Sequence, residues 1–374
     1  MRLSIDKNQF LKALINADKA IPSKSAMPIL NNFKLELTER GLEVTGSNFD
    51  LTIRSTVPYM VDGKQTILDH TMGAALINAH LLTEVIRKMD GDIVSLDIID
   101  NSTAKIDDGK SSFSLKCFRA EEYPDIDLDP NGATFDIPCS VLSEMVDQTA
   151  FAAATRDTRP VLIALNLNAH DGVLVATATD SSRLSQKTVS IEDQDVRFRC
   201  NIPARSLADV VRMFDNADMV RISISEQKAL FQFDYNVIST RLTPGDYPVS
   251  PAIIPTRFNY YLEVSAQELL AAIGRISLLS NERDAPIKLS MNEEEVEISV
   301  KNEFSGSAHE TISTFQFSGN RHEVSFNPMF VIDAIKALKS EDVTFCFQGD
   351  LKAFVVKNPK DDSVVELVSQ MHAC

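Results

Sequence analysis

Three short stretches constrain this chain more than anything in its composition: LTEVIRKM (82–89), LADVVRMF (207–214) and VIDAIKAL (331–338) begin 125 and 124 residues apart. In each, apolar residues fall at i, i+3, i+4 and i+7, as in Leu82, Val85, Ile86 and Met89, which is one face of a helix. Each is followed by a polar turn and an alternating stretch, IVSLDI (93–98), MVRISI (219–224) and VTFCF (343–347), the pattern of a half-buried strand. A second helix family lies earlier in each unit, where Ile5, Ile137 and Val264 precede NQFLKALINADKA, SVLSEMVDQTAFAAA and QELLAAIGRISLLS. Tyr-Pro recurs as well, at Tyr123-Pro124 and Tyr247-Pro248. A unit of about 125 residues, taken three times, fills the 374-residue chain.

A chain of this length exceeds what one hydrophobic core usually serves. Turn-rich stretches at 123–134 (YPDIDLDPNGAT) and 244–256 (PGDYPVSPAIIPT) stand where linkers belong. The expected domains are therefore 1–128, 129–254 and 255–374. Between the helices run short alternating strands punctuated by turns, as in FKLELTERGLEVTG (33–46), where alternation breaks at Glu39-Arg40-Gly41. The fold class is α+β, with two helices on antiparallel sheet in each unit.

The net charge of −16 argues against a nucleic-acid partner unless cations are placed together. The six helix windows 6–20, 79–90, 140–155, 204–215, 266–280 and 328–339 hold ten Lys or Arg and ten Asp or Glu, so the whole excess of acid lies elsewhere. One cation recurs off the apolar stripe in every copy: Arg87, Arg212 and Lys336. Lys12, Lys19, Lys88, Arg205, Arg275 and Lys339 add to the same layer. If those faces converge, they line a path for a polyanion, read through its backbone and without sequence preference. The alternative is a solvated helix face with local ion pairing.

Other chemistry is not supported. The five cysteines have no ligand spacing and suit a reducing cytosol. The N-terminus lacks a signal-peptide pattern and no apolar run is long enough to cross a membrane, so a cytoplasmic protein with no membrane partner is expected. DIDLD (125–129) lacks the Gly and distal Glu of a calcium loop and reads as a solvated acidic linker. The six histidines are scattered and read as surface or satisfied residues. No GxSxG, Walker-type or GxGxxG motif occurs, so no catalytic residue, metal or cofactor is expected. Two classes stand: a protein whose helix faces surround a polyanion, and an acidic three-domain scaffold that binds peptides but no nucleic acid.

Several segments, in order and spacing, resemble the DNA polymerase III beta subunit family, the bacterial sliding clamps, along essentially the whole chain. They are MPILNNFKLEL (27–37), LEVTGSNFDLTI (42–53), ATATDSSRLS (176–185), SLLSNERDAPIKLSM (277–291) and FNPMFVIDAIKAL (326–338). The resemblance implies a head-to-tail homodimer forming a closed ring around duplex DNA. Its implied partners are the clamp loader, the replicative polymerase and other proteins carrying clamp-binding linear motifs. It implies a partner-peptide cleft between the second and third units, with an apolar floor of Leu162, Leu184, Pro248, Ile253 and Leu367. Thr179, Ser182 and Arg183 would stand at its rim, and Asn327, Phe330 and Met371 would complete it. By the same resemblance Lys24 and Arg156 would face DNA from loops, beside Lys12, Arg87, Arg205, Arg212 and Lys336 of the helix layer. Phe113 would meet Leu278 and Leu279 across the dimer interface. The chain departs from the family at the cleft: it ends VSQMHAC, with Gln370 at the usual proline and His372 at the usual arginine, and Ala252 stands where a basic residue is often found.

Overall fold

The computed structural model describes residues 1–22, 27–215, 217–248, 253–279, 286–302 and 306–372. Among the described residues six helices alternate with short strands: α1 (Lys7–Asp18), α2 (Ala79–Lys88), α3 (Cys139–Thr149), α4 (Ala204–Val211), α5 (Ala266–Ile276) and α6 (Pro328–Leu338). No helix among the described residues is long and apolar enough to cross a membrane. The second repeat shows the simplest order, a strand, a helix and three strands, given twice. The first and third repeats follow that order with short strands added before their second helix. Each repeat is therefore itself two similar halves, which the sequence pattern had not separated.

Four of these helices start where short polar side chains accept free backbone N–H groups. Asp6 accepts from Gln9 at 2.9 Å, Asn78 from Leu81 at 2.9 Å, Ser265 from Glu268 at 3.4 Å and Asn327 from Met329 at 2.9 Å. Pro328 adds a fixed φ at the first position of α6. Apolar stripes turn inward: Leu82, Ile86, Leu207, Val210, Val331 and Ile335 are all buried. The helices are shorter than the expected windows. α3 stops at Thr149 and gives way to a 3-10 turn at Ala150–Ala152. α4 stops at Val211, where Met213 and Phe214 donate to Val210 and Val211, a tightening of the last turn. Both side chains stay buried.

Contacts divide the chain into two compact units, Met1–Ser140 with Asp209–Leu242, and Val141–Ala208 with Thr243–Cys374. The second repeat contributes to both. In the first unit a 13-stranded antiparallel sheet passes from the first repeat into the second where Leu51–Val57 pairs with Asn236–Arg241. In the second unit a nine-stranded sheet passes from the second repeat into the third where Arg183–Ser190 pairs with Asp361–Val368.

The two junctions use the same register. Counted along the ladders from the strands before α2, α4 and α6, the residues Ser55, Lys187 and Glu310 are equivalent, and so are Ile53, Ser185 and Ala308. Counted from the strands before α1, α3 and α5, Phe113, Ile238 and Glu366 are equivalent. Ile53 faces Ile238 at the first junction and Ser185 faces Glu366 at the second. Two strands of the same kind have no junction partner. Gly306–Ile312 is the edge of its sheet, pairing only with Val296–Asn302 among the described residues. Ser112–Phe118 is covered on one side only at Cys117 and Phe118.

Candidate peptide cleft and cationic helix layer

All described residues proposed for the cleft lie in the second unit. Its floor is the cross-strand pair Leu184 and Leu367, which clusters with Cys346 and Val355 and is covered by Ile254 and Phe258. Ile253, expected in that floor, is about half exposed, and its neighbour Ile254 makes the packing contact instead. Leu162 is fully buried under a 3-10 turn, with its carbonyl accepting from Ala154. Pro248 is exposed; the preceding Tyr247 is buried, and its hydroxyl accepts the Thr179 N–H at 3.0 Å and lies 3.3 Å from the Ala164 carbonyl. Burial pushes this phenol up to about 12. Tyr247 thus pillars the wall that carries Thr179, and its signal in the sequence was the recurrent Tyr-Pro.

The rim is more committed than its residue types suggest. Arg183 is a latch within the second unit. Its Nε donates to Asp180 at 3.0 Å, Nη1 to Asp333 at 2.7 Å and Nη2 to the Phe151 carbonyl at 2.7 Å, while the guanidinium lies 4.7 Å from the Phe330 ring centre. Ser182 is exposed and passes a backbone bond to the tail, Ser369 N–H to Ser182 carbonyl at 2.9 Å. Asn327 is buried and caps α6. The half-buried Met371 is tied by its N–H to the Ser325 carbonyl at 2.7 Å. Gln370, in place of the family's proline, uses its amide to clamp the 349–351 loop, accepting from the Leu351 N–H and donating to the Gly349 carbonyl, both at 3.0 Å. Ala252 lies outside the described residues, and His372 is exposed.

Beneath the rim lies Glu366, fully enclosed. The Ser185 hydroxyl stands 2.6 Å from the Gln148 carbonyl and 2.8 Å from a Glu366 oxygen, yet it has one proton to give. The carbonyl can only accept, so the carboxyl supplies the second proton. Burial raises its pKa well above the ordinary 4.5, in the same direction. Such a group contributes its full stability below its unfolded pKa and loses it as pH rises toward the folded one. Glu366→Gln should therefore remove a loss that grows from about pH 4.5 upward, at no more than about 1.4 kcal/mol per pH unit. Denaturation curves from pH 4.5 to 8 check this; a gap between the two proteins that ignores pH would refute it.

The helix cations are exposed, but most carry a counter-charge. Lys12 pairs with Asp215 at 2.9 Å, Arg87 with Glu84, and Arg212 with Asp209 at 3.4 Å. The last two repeat one spacing, acid three residues before cation, so the local pairing reading applies to them. α6 has the same acid, Asp333, but Arg183 takes it, and among the described residues Lys336 has no ion pair. Arg205 on α4 and Arg156 in the loop before the 160–163 turn are exposed; Lys24 lies outside the described residues. Desolvation by its neighbours lowers the pKa of Lys19, and Arg275 is held by Glu310.

Two further expectations change, and the residues expected at the dimer interface can be placed. The acidic linker is not simply solvated, since Asp127 pairs with Lys228 at 2.7 Å and Ile126 packs on Leu30, Leu76 and Tyr123. Not every histidine is satisfied. His322 is buried, stacked on Tyr260 at 4.3 Å, and its Nε2 has no hydrogen bond among the described residues. Phe113 and Leu278 are exposed, 39% and 80%, while Leu279 packs against the core of the third repeat.

The comparisons agree along the chain. Models of the DNA polymerase III beta subunit match its N-terminal domain at residues 1–127, its central domain at 136–249 and its C-terminal domain at 251–372. The beta sliding clamp of Bacillus subtilis is 30% identical over 98% of both chains, and that of Staphylococcus aureus is 30% identical over the same shares. The crystal structure of the Bacillus subtilis DNA polymerase sliding clamp superposes with a TM-score of 0.96 at 29% identity, covering all of both chains. The DNA polymerase III beta chain of Streptococcus pneumoniae gives 0.95 at 30% identity, again over both full chains. With three domains of helices on antiparallel sheets, the chain belongs to the DNA polymerase III beta subunit family, the non-catalytic sliding clamps that serve as processivity factors of DNA polymerase.

Proposed function

We propose that two copies of this chain join head to tail into a closed ring that encircles duplex DNA in the cytoplasm and is placed there by a clamp loader. The domains are 1–128, 129–254 and 255–374. Lys12, Lys24, Arg87, Arg156, Arg205, Arg212 and Lys336 face the DNA. The replicative polymerase and other proteins with linear motifs dock on the cleft around Leu162, Thr179, Leu184, Pro248 and Leu367, with Phe113, Leu278 and Leu279 at the dimer interface. The observation that carries the ring is the pair of strands that each keep an open edge among the described residues. The first and second repeats each join the next by the same strand pairing, and what remains is the donor strand of the third repeat, Gly306–Ile312, and the acceptor strand of the first, Ser112–Phe118. Open edges of this kind are templates for pairing. Because the two differ, the contact is heterologous and a ring results if the rotation closes.

Ion pairing of Arg87 and Arg212 within their own helices supports a loose grip. Retention would then rest on topology more than on charge. Loaded onto nicked circular DNA, the protein should stay bound in salt high enough to release phosphate contacts, and should fall off when the circle is cut. Retention indifferent to linearisation would overturn the ring.

A further inference from the structure

The last described residues are tied one after another to three different elements of the second unit. The Ser369 N–H donates to the Ser182 carbonyl at 2.9 Å and the Met371 N–H to the Ser325 carbonyl at 2.7 Å. Between them the Gln370 side chain takes the Leu351 N–H and gives to the Gly349 carbonyl, both at 3.0 Å. That middle tie falls on a hairpin tip in need of support. The ladder between Asp342–Phe347 and Phe354–Asn358 stops at Cys346 with Val355. Beyond it Leu351 has φ 59°, a left-handed conformation uncommon for any side chain larger than glycine's, and it is 61% exposed, so little packing holds it there. The matching hairpin of the first junction, Met219–Ile224 with Lys228–Phe233, closes on itself, its Ser225 N–H donating to the Lys228 carbonyl at 3.0 Å.

We propose that Gln370 is a positioning residue: by joining the C-terminal tail to the 349–351 tip, it sets Met371 in place before a partner peptide arrives. The proposal rests on the cleft reading above, in which Met371 completes the docking site. Proline, the family's usual residue here, reaches the same end by another route, since its ring fixes the backbone of the tail but offers no amide to the tip. A proline costs no backbone bond at this position, because among the described residues the Gln370 N–H donates none, whereas those of Ser369 and Met371 do. Ordering a tail residue costs conformational entropy, and a tail ordered in advance spares the partner that cost. Losing the two side-chain bonds should therefore weaken peptide binding about tenfold.

The test uses the full chain with Gln370→Met, which keeps the length of the side chain without its amide, and with Gln370→Pro. Hydrogen exchange is followed by mass spectrometry on the segments that contain Leu351 and Met371. Gln370→Met should speed exchange about tenfold at both, with an unchanged cooperative melt. Gln370→Pro should speed it at Leu351 only, a split that a general loosening of the fold would not produce. Unchanged exchange at either segment in Gln370→Met, or a proline variant that loosens both segments or neither, would overturn the positioning role. Docking is read by polarisation with a fluorescein-labelled, end-capped hexapeptide whose only large side chains are two leucines. Gln370→Met should bind it about tenfold more weakly than the unsubstituted chain, and Gln370→Pro more tightly than Gln370→Met. Equal binding by Gln370→Met, with its exchange raised, would overturn the part Gln370 plays in docking and leave the cleft standing. No binding by the unsubstituted chain would overturn the cleft reading itself, while the exchange rates would still decide whether Gln370 orders the tail.

Discussion

Phe113→Cys combined with Ala308→Cys in one chain, in a Cys374→Ser background, should give a covalent dimer on oxidation. The register predicts this pair. Phe113 is equivalent to Ile238 and Glu366, and Ala308 to Ile53 and Ser185, and those equivalents face each other at the two junctions the chain makes within itself. Ile238 is fully buried and Glu366 nearly so, whereas Phe113 is 39% exposed, as expected of a junction residue whose partner strand comes from a second copy. Cross-strand partners bring Cα atoms to about 4.5–5.5 Å, inside the range a disulfide spans. Moving the second cysteine to Glu310 displaces it by two residues, to about 7–8 Å, and should largely abolish the bond. The other described cysteines are buried and do not compete. Non-reducing electrophoresis separates the outcomes; equal cross-linking at both positions, or a protein that sediments as a monomer at micromolar concentration, would defeat the register and the interface together.

Arg183→Ala should cost about 3 kcal/mol of stability. The side chain is 14% exposed and ties together Asp180, Asp333 and the Phe151 carbonyl while covering the Phe330 ring. Its removal takes the guanidinium from Asp333 and the Phe151 carbonyl at once and leaves Asp180 only its backbone donors, unlike the loss of a surface pair such as Arg212 with Asp209, worth about 0–1 kcal/mol. Arg183→Lys should recover only part of the loss, since an ammonium cannot reproduce the planar fork or the ring stacking. Urea denaturation followed by fluorescence or circular dichroism measures it. A loss below about 1 kcal/mol would mean that Arg183 is a rim charge after all.

Much of the fold was legible because helix and strand periods are local. The stripe through Leu82, Val85 and Ile86, and its copies, declared themselves by spacing alone, and the turn at Glu39-Arg40-Gly41 by a break in alternation. Helix ends were less legible at α3 and α4, where an apolar pattern runs on past the last regular turn: Met213 and Phe214 are buried by a tightened turn that keeps the helical spacing. The proposed cleft was named only through family resemblance. Its floor is a cross-strand pair, Leu184 with Leu367, whose members stand far apart in the chain, and nothing local marks either as a partner of the other.

Arg183 and Glu366 show the sharper limit. As residue types they read as a rim cation and an ordinary acid, and only packing makes one a latch and the other a protonated carboxyl, because burial and the direction of hydrogen bonds are properties of the neighbours. The linker DIDLD keeps its three carboxylates exposed, but its Ile126 and Asp127 find Leu30 and Lys228, partners that the linker sequence does not mark. By itself the sequence determined the threefold repeat, the two helix stripes in each copy and the neutrality of the helices in an acidic chain, all of which follow from spacing and charge along the backbone. The tertiary structure decided which strands join neighbouring repeats, which two keep an open edge among the described residues, and which acids Lys12 and Arg183 take, because sheet register and ion pairing bring together groups that the chain separates by tens to hundreds of residues.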